Sequence, residues 1–283
     1  MCRLFGSLNV SRDSLRRHLV SSPCSLLSQS NASPHRLQAD GWGLAYYLNS
    51  GRAKIVRSTL PIFEDKDTFF KAVDKVGGRI VLAHIRRASN PCKLPLEMLR
   101  RPENIQPFSS GRWVFVHNGT INYPDRVAEV LGRYKERLRG TNDSEVYFWL
   151  MMAGIRRTAS VRSAFLETWS AIIKVWSELS REERRRARLP YIGLNFILSD
   201  GKKLYALCKY DGYRPKGEDN WLCGAEPPRP LFEMCYRLED GGRGLVVASE
   251  RTEPVGRWVP LRDGTFLEAQ LDRGKVRVEV CSL

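Results

Sequence analysis

The sequence predicts an α+β protein in which strands from both ends of the chain share stacked sheets, with helices outside them. Three observations lead there. Strand-like segments dominate from Arg3 to His117, two long amphipathic segments follow between Asp143 and Leu179, and strand-like segments return from Tyr191 to the end. No low-complexity linker or internal repeat divides the chain, so residues 2–283 are expected to form one domain.

Taken in order, Arg3–Asn9 reads as a strand and Arg12–Val20 as a short helix with Ser11 at its N-cap. Ser21–Ala39, rich in Ser, Pro and Asn, reads as a loop with short turns. Gly41–Leu48 and Ala53–Ser58 flank Asn49-Ser50-Gly51 and form an expected hairpin. Helical spacing of Phe69, Phe70, Val73 and Val76 marks Asp67–Val76, and Arg79–Ile85 is an apolar buried strand. Four prolines make Asn90–Ser110 a long irregular loop, the kind that often carries function. Trp113–His117 is a strand before Asn118-Gly119; Asp143–Arg157 and Val161–Leu179 are helices. Strands are then expected at Tyr191–Leu198, Lys203–Lys209, Trp221–Ala225, Gly244–Ala248, Trp258–Pro260, Thr265–Leu271 and Val276–Val280.

Composition removes several function classes. With 283 residues and 42% hydrophobic content the chain can bury a substantial core. The longest apolar run, near Val146–Ile155, is too short to span a bilayer, and the N-terminus lacks a signal peptide's apolar core, so a cytoplasmic location without membrane association is expected. The net charge of +15 raises the question of nucleic acid. The cations are spread along the chain, however, and the one dense run, Arg181–Arg188, contains Glu182 and Glu183, so a solvated, salt-bridged helix face is the preferred reading over a nucleic-acid site. The seven cysteines form no CxxC pair and are odd in number, which argues against a metal knuckle and a secreted disulfide framework. Most of the internal ones read as small buried residues. The histidines at 18, 35, 84 and 117 lack metal-ligand spacing, and no phosphate-binding or dinucleotide fingerprint occurs, so neither metal nor cofactor is expected.

The chemistry starts at Cys2. Removal of the initiator methionine would leave a thiol and a free α-amine on one residue, and a neutral amine can take the thiol proton. The alternative is a small apolar residue on the first strand. Arg86, in His84-Ile85-Arg86-Arg87-Ala88-Ser89, can grip a carboxylate with a two-pronged bond, or pair with an acidic neighbour. Asn118-Gly119 is either a hairpin turn or an oxyanion hole, Asn118 offering an amide N–H and Gly119 a backbone N–H. Asp143, in Thr141-Asn142-Asp143-Ser144-Glu145, either helps to start a helix or holds a substrate ammonium, and both can hold at once.

The segments MCRLFG, DGWGLAYY, HIRRAS, FVHNGTI and TNDSEVYFWL together resemble the class II glutamine amidotransferases, N-terminal nucleophile hydrolases with an N-terminal cysteine. The likeness is closest to the stand-alone group, which the ergothioneine-pathway γ-glutamyl amidohydrolases also resemble. Val246–Thr252 echoes a late strand of the family. The resemblance implies a four-layer αββα sandwich. It implies Cys2 as nucleophile with its α-amine as base, Arg86 supported by Ser89 on the substrate α-carboxylate, Asn118 and Gly119 as oxyanion hole, and Asp143 on the α-ammonium. Asp40, Gly41, Trp42 and Gly43 would shape the wall near the nucleophile. Many synthase-linked members carry HTRWAT where this chain has HIRRAS, so Arg87 stands in place of a tryptophan and Ser89 in place of a threonine.

The expected reaction is hydrolysis of the γ-amide of glutamine through a Cys2 thioester, with a partner protein taking the ammonia or none. The alternatives are hydrolysis of a larger γ-glutamyl compound, and a non-catalytic basic binding protein that kept the fold.

Overall fold

The first strand is buried at every position, a pattern a strand acquires only when both of its faces are covered. The structure is a computed structural model and describes residues 2–32, 37–213, 219–220 and 229–283. Its first half runs β1 (Arg3–Leu8), α1 (Arg12–Arg16) with a π-helical turn (Arg17–Ser21), α2 (Leu26–Ser30), β2 (Trp42–Tyr47), β3 (Ala53–Ser58), α3 (Lys66–Asp74), β4 (Ile80–Ile85), α4 (Leu96–Leu99), β5 (Phe108–Ser110) and β6 (Trp113–Ile121). The helices α5 (Pro124–Ala128), α6 (Asp143–Thr158), α7 (Val161–Glu178) and α8 (Arg181–Ala187) follow. Then come β7 (Tyr191–Ser199), β8 (Lys203–Cys208), β9 (Asp219–Asn220), β10 (Arg229–Pro230), β11 (Met234–Glu239), β12 (Gly244–Ala248), β13 (Val259–Leu261), β14 (Thr265–Asp272) and β15 (Lys275–Ser282).

Two large antiparallel sheets organise these elements, and β9 pairs with β10 in a separate two-stranded one. One large sheet has the order β13-β11-β12-β1-β4-β2-β3, the other β15-β14-β8-β7-β6-β5. Alternation along each strand divides the apolar residues between faces. Leu4 and Leu8 of β1 and Val114 and Val116 of β6 meet Leu82, Ile197 and Leu204 between the sheets. Phe5 points the other way, with Trp42, Leu44 and Phe69, into a core under α1 to α3. Phe115 likewise turns outward to meet Tyr147, Phe148 and Phe165 under α6 and α7. The layers are therefore helix, sheet, sheet, helix: an αββα sandwich. Ser11, Ser160 and Ser180 cap α1, α7 and α8 with side-chain oxygens, which fixes where those helices start.

Several segments differ from expectation. Ser21–Ala39 contains α2, capped by Ser25, and Asn90–Ser110 contains α4, a 3-10 turn at Pro102–Asn104 and β5. β6 does not stop at His117. It continues through Asn118-Gly119 to Ile121, with a register shift against β7 between Gly119 and Thr120, so that pair is no hairpin turn. β11, beside β12, had no counterpart in the reading of the sequence. The expected strand at Trp221–Ala225 lies outside the described residues. Cys24 is disulfide-bonded rather than a free buried thiol.

The Arg181–Arg188 run forms α8, without a buried residue; Glu182 pairs with Arg186, and Glu183 with Arg126. His18, Glu239 and Glu253 come together although their spacing in sequence gives no hint of it. Their valences are already used: Arg237 meets both carboxylates, Arg17 meets Glu253, and His18 Nδ1 lies 2.7 Å from the Thr252 hydroxyl. This is a buried ion network tying α1 and its π-turn to the C-terminal strands. Among the described residues no helix is long and apolar enough to cross a membrane.

Candidate active site at the head of the first strand

Cys2 leads directly into β1, which pairs with β4 on one side and β12 on the other, Arg3 facing Ile85 across the ladder. Pairing on both sides makes the position of Cys2 a property of the sheet centre, not of a loose terminus. The segment after β12 adds a clamp. Leu4 N–H donates to the Ser249 hydroxyl at 2.9 Å and Ser249 N–H donates to the Leu4 carbonyl at 3.0 Å. Arg3 pairs with Glu250 at 2.9 Å, both nearly buried, and donates to the Cys2 carbonyl at 3.3 Å. Cys2 Sγ lies 3.4 Å from both the backbone N and the backbone O of Arg87. Among the described residues no histidine hydrogen-bonds the thiol. His84 and His117 are both fully buried, and burial holds their imidazoles down at about 3 and about 4, so both are neutral near pH 7.

β4 delivers the next group. Arg86 follows its last residue, and its N–H donates to the Gly41 carbonyl at 2.8 Å. The Arg86 guanidinium is buried and donates to the Leu99 carbonyl at 2.8 Å. Asp40 braces the same turn, its carboxylate accepting the Ala88 N–H at 2.9 Å. Burial pulls the Arg86 pKa down, opposed by charge interactions with Cys2, Asp40 and Asp143, which places these groups within electrostatic reach of one guanidinium.

Asp143 opens α6 and is buried, one carboxylate oxygen accepting the Ile121 N–H at 2.7 Å. Burial pushes its carboxyl up to about 6, with backbone hydrogen bonds and Arg86 pulling the other way. Arg86, Ser89, Cys92, Asn104 and Asp143 line one narrow cleft. Ser89 is there without a hydrogen bond to Arg86. Asn104 holds the cleft's far wall: its carbonyl oxygens accept from Thr141 N–H and the Asn142 amide, and its own amide donates to the Met98 carbonyl at 2.7 Å.

Asn118 sits on β6 with 1% exposure, yet among the described residues neither its amide nitrogen nor its amide oxygen has a hydrogen-bond partner. A buried amide left unpaired costs about 1–3 kcal/mol, and such groups are rare unless something else is to be bound there. Next to it, a Cβ on Gly119 would lie 1.9 Å from the Gly193 carbonyl oxygen and 2.8 Å from His117 Nε2. Only glycine allows β6 and β7 to approach so closely at this point. The strand is held from behind by Gln106, which accepts the His117 N–H at 2.6 Å and donates to the His117 carbonyl at 3.2 Å, and by Ser144, 2.8 Å from His117 Nδ1.

Apart from Ser249 and Glu250, this arrangement falls within a segment that matches a known family. Residues 1–214 match the model of the class-II glutamine amidotransferases. The chain belongs to that family. This class II amidotransferase is 27% identical over 244 residues to a putative glutamine amidotransferase of Haemophilus influenzae, covering 81% of this chain and 72% of that protein. It is 35% identical over 127 residues to the gamma-glutamyl-hercynylcysteine sulfoxide hydrolase of Mycolicibacterium smegmatis, covering 43% of this chain and 52% of the hydrolase. The match thus spans about half the length of that relative.

Solved structures share the fold. A glutamine aminotransferase class-II domain protein of Silicibacter pomeroyi superposes with a TM-score of 0.61 at 19% identity over 100% of both chains. The glutamine phosphoribosylpyrophosphate amidotransferase of B. subtilis gives 0.61 at 16% identity over 98% of this chain and 49% of that one. The sandwich is that of the N-terminal nucleophile hydrolases, and the amidotransferase is an enzyme of that fold.

Of the residues singled out in the sequence, Arg86, Ser89 and Asp143 line one cleft, Cys2 lies within electrostatic reach of Arg86, and Asn118 and Gly119 occupy the facing sheet. Asp40 and Gly41 bond to the turn that carries Arg86, and a Cβ on Gly43 would lie 2.0 Å from the Gln106 carbonyl oxygen. Trp42 turns away from them. As the alternate residue of β2 it faces outward, its indole packed edge-on against Phe69 and donating to Asp65 at 3.1 Å. Asn104, Gln106, Ser144, Ser249 and Glu250 carry supporting bonds that the reading of the sequence missed. Ser144 had a signal in its place in TNDSEVYFWL, and Ser249 and Glu250 in theirs in Val246–Thr252.

Proposed function

We propose that this amidotransferase hydrolyses the γ-amide of glutamine or of a γ-glutamyl compound, with Cys2 as an N-terminal nucleophile once Met1 has been removed. The observation that carries the reading is a buried guanidinium and a buried carboxylate lining one cleft, with the Cys2 thiol within electrostatic reach of that guanidinium. Arg86 and Asp143 offer opposite charges to the α-carboxylate and α-ammonium of a glutamyl group, and Cys2 stands at the γ-carbonyl. With no histidine bonded to the sulfur among the described residues, the α-amine of Cys2 is the base in this reading.

The thiol proton passes to that amine as sulfur bonds the carbonyl carbon of the γ-amide. Asn118 and the Gly119 N–H take the charge on the tetrahedral oxygen, filling the hydrogen-bonding capacity that the Asn118 amide leaves unused. As the C–N bond breaks, the ammonium returns its proton to the leaving nitrogen. Water then attacks the thioester, releasing glutamate and restoring the thiol. Residues 2–283 act as one catalytic unit, because the Ser249-Glu250 clamp holds the strand that carries the nucleophile. We place the reaction in the cytoplasm.

Two leaving groups fit the scheme. With glutamine, ammonia is released to solvent or to an accepting partner protein. With a larger γ-glutamyl amide no acceptor is needed. The likeness to the gamma-glutamyl-hercynylcysteine sulfoxide hydrolase favours the second version.

The test is the intact mass of the purified protein, with and without 6-diazo-5-oxo-norleucine, a reactive glutamine mimic. Loss of Met1 and one adduct on Cys2 is the expected result. A chain that retains Met1 has no free amine at Cys2 and cannot work by this route.

A further inference from the structure

We propose that Arg87 selects the substrate by binding an anionic group on the leaving amine, so that the preferred substrates are γ-glutamyl amides of amino acids or similarly charged amines. This rests on the hydrolytic reading above. Arg87 is fixed next to the nucleophile, since its backbone N and O are each 3.4 Å from Cys2 Sγ. The residue itself is exposed, whereas Arg86 beside it is buried in the cleft. Among the described residues no carboxylate lies within ion-pair distance of Arg87, although many other surface cations of this chain find one. The mechanism uses Arg86 and leaves Arg87 without a task.

The surroundings add a second, independent observation. From Arg86 to Arg101 the chain carries five basic residues and a single acidic one, Glu97. Lys93, Arg100 and Arg101 are exposed along with Arg87. Arg100 reaches Asp40 only at 3.9 Å, and that carboxylate is already bonded to the Ala88 N–H. The segment that borders the cleft therefore presents positive charge to whatever extends beyond the scissile bond. Ammonia offers nothing for this charge to bind. An amine bearing a carboxylate does, and a planar guanidinium takes a carboxylate in two-pronged fashion.

The test compares kcat/KM for L-glutamine, γ-L-glutamylglycine and γ-L-glutamylglycinamide, using the full chain with Met1 removed. The last two differ only in the charge on the leaving amine. The expected result is at least a roughly threefold preference for γ-glutamylglycine over the glycinamide, shrinking at about 0.5 M salt as an exposed ion pair should. Arg87→Gln brings the ratio of the two rates close to one, and Arg87→Lys keeps part of it. Because the readout is a ratio within one protein, a general loss of activity does not imitate it. A wild-type enzyme indifferent to the charge, or a preference that survives Arg87→Gln, overturns the assignment while hydrolysis of glutamine leaves the catalytic reading standing. Failure to hydrolyse all three, with no adduct from the glutamine mimic, removes both.

Discussion

The Cys2 thiol contacts both backbone polar atoms of one residue, Arg87, with Sγ 3.4 Å from the amide nitrogen and from the carbonyl oxygen. The carbonyl can accept from the thiol, and the N–H can donate to the sulfur once it has lost its proton, so the resting and the attacking forms each have a partner. Replacing the sulfur removes only these weak bonds. Cys2→Ala is expected to lower kcat at least about a thousandfold while leaving the thermal midpoint within a few degrees of wild type. Calorimetry and a glutamate-release assay on the same preparation check both halves. A fully active alanine variant ends the nucleophile assignment.

Asn118 offers a cleaner separation of chemistry from stability. Its amide makes no hydrogen bond among the described residues, so Asn118→Ala breaks none there. The cost to the fold is then a small cavity, about 1 kcal/mol or less. An amide that serves only the tetrahedral oxygen is worth about 100- to 1,000-fold in kcat, with KM nearly unchanged. Steady-state kinetics beside a urea melt distinguish the two effects. Wild-type kcat in the variant would mean that the oxyanion is held elsewhere.

Asp143 should show the opposite bargain. Its carboxyl is pushed up to about 6 by burial, from an ordinary value of 3.8. Between those two values the folded chain holds more protons than the unfolded one, so this residue's contribution to stability is lost as pH rises through that window. The ionised form therefore costs on the order of 1–3 kcal/mol near pH 7. Asp143→Asn is expected to raise stability at neutral pH and to raise KM for glutamine tenfold or more. In the wild type, kcat/KM falls as pH drops through about 6, and the limb for kcat lies lower, because a bound ammonium favours the carboxylate. Denaturation and pH–rate profiles decide it; a variant less stable at pH 7 contradicts the sign.

What could be read in the sequence was local chemistry. Cys2, Arg86 and Asp143 stand at the ends of elements whose periodicity is plain, and a strand end or helix start places a side chain with little help from elsewhere. What depended on distant contacts was not legible. The family resemblance implies Trp42 in the site wall, but the alternation of β2 under α3 turns it outward. Short α4 and the 3-10 turn carry no periodicity of their own and are held by Asn104. The clamp on β1 joins Leu4 to Ser249, and nothing in either segment announces a partner so far along the chain.

Asn118-Gly119 is the sharpest case, because the dipeptide is a common turn yet lies here inside a strand. The reason is one contact across the sheet: a methyl group at position 119 would sit 1.9 Å from the Gly193 carbonyl oxygen, a backbone atom that cannot swing aside. Gly193 is itself constrained, with φ of +78° and Phe232 against the space a side chain would need. Gly119→Ala must therefore push β6 away from β7, breaking ladder bonds beside the register shift. The expected loss is about 3 kcal/mol or more, at the severe end for a single methyl group. Any fraction that folds carries a displaced Gly119 N–H, so its kcat should fall as Asn118→Ala does, through the same oxygen. Thermal melts with single-turnover kinetics measure both. A Gly119→Ala protein with wild-type midpoint and rate would show that the two strands do not meet at this distance and that the N–H of residue 119 does no catalytic work.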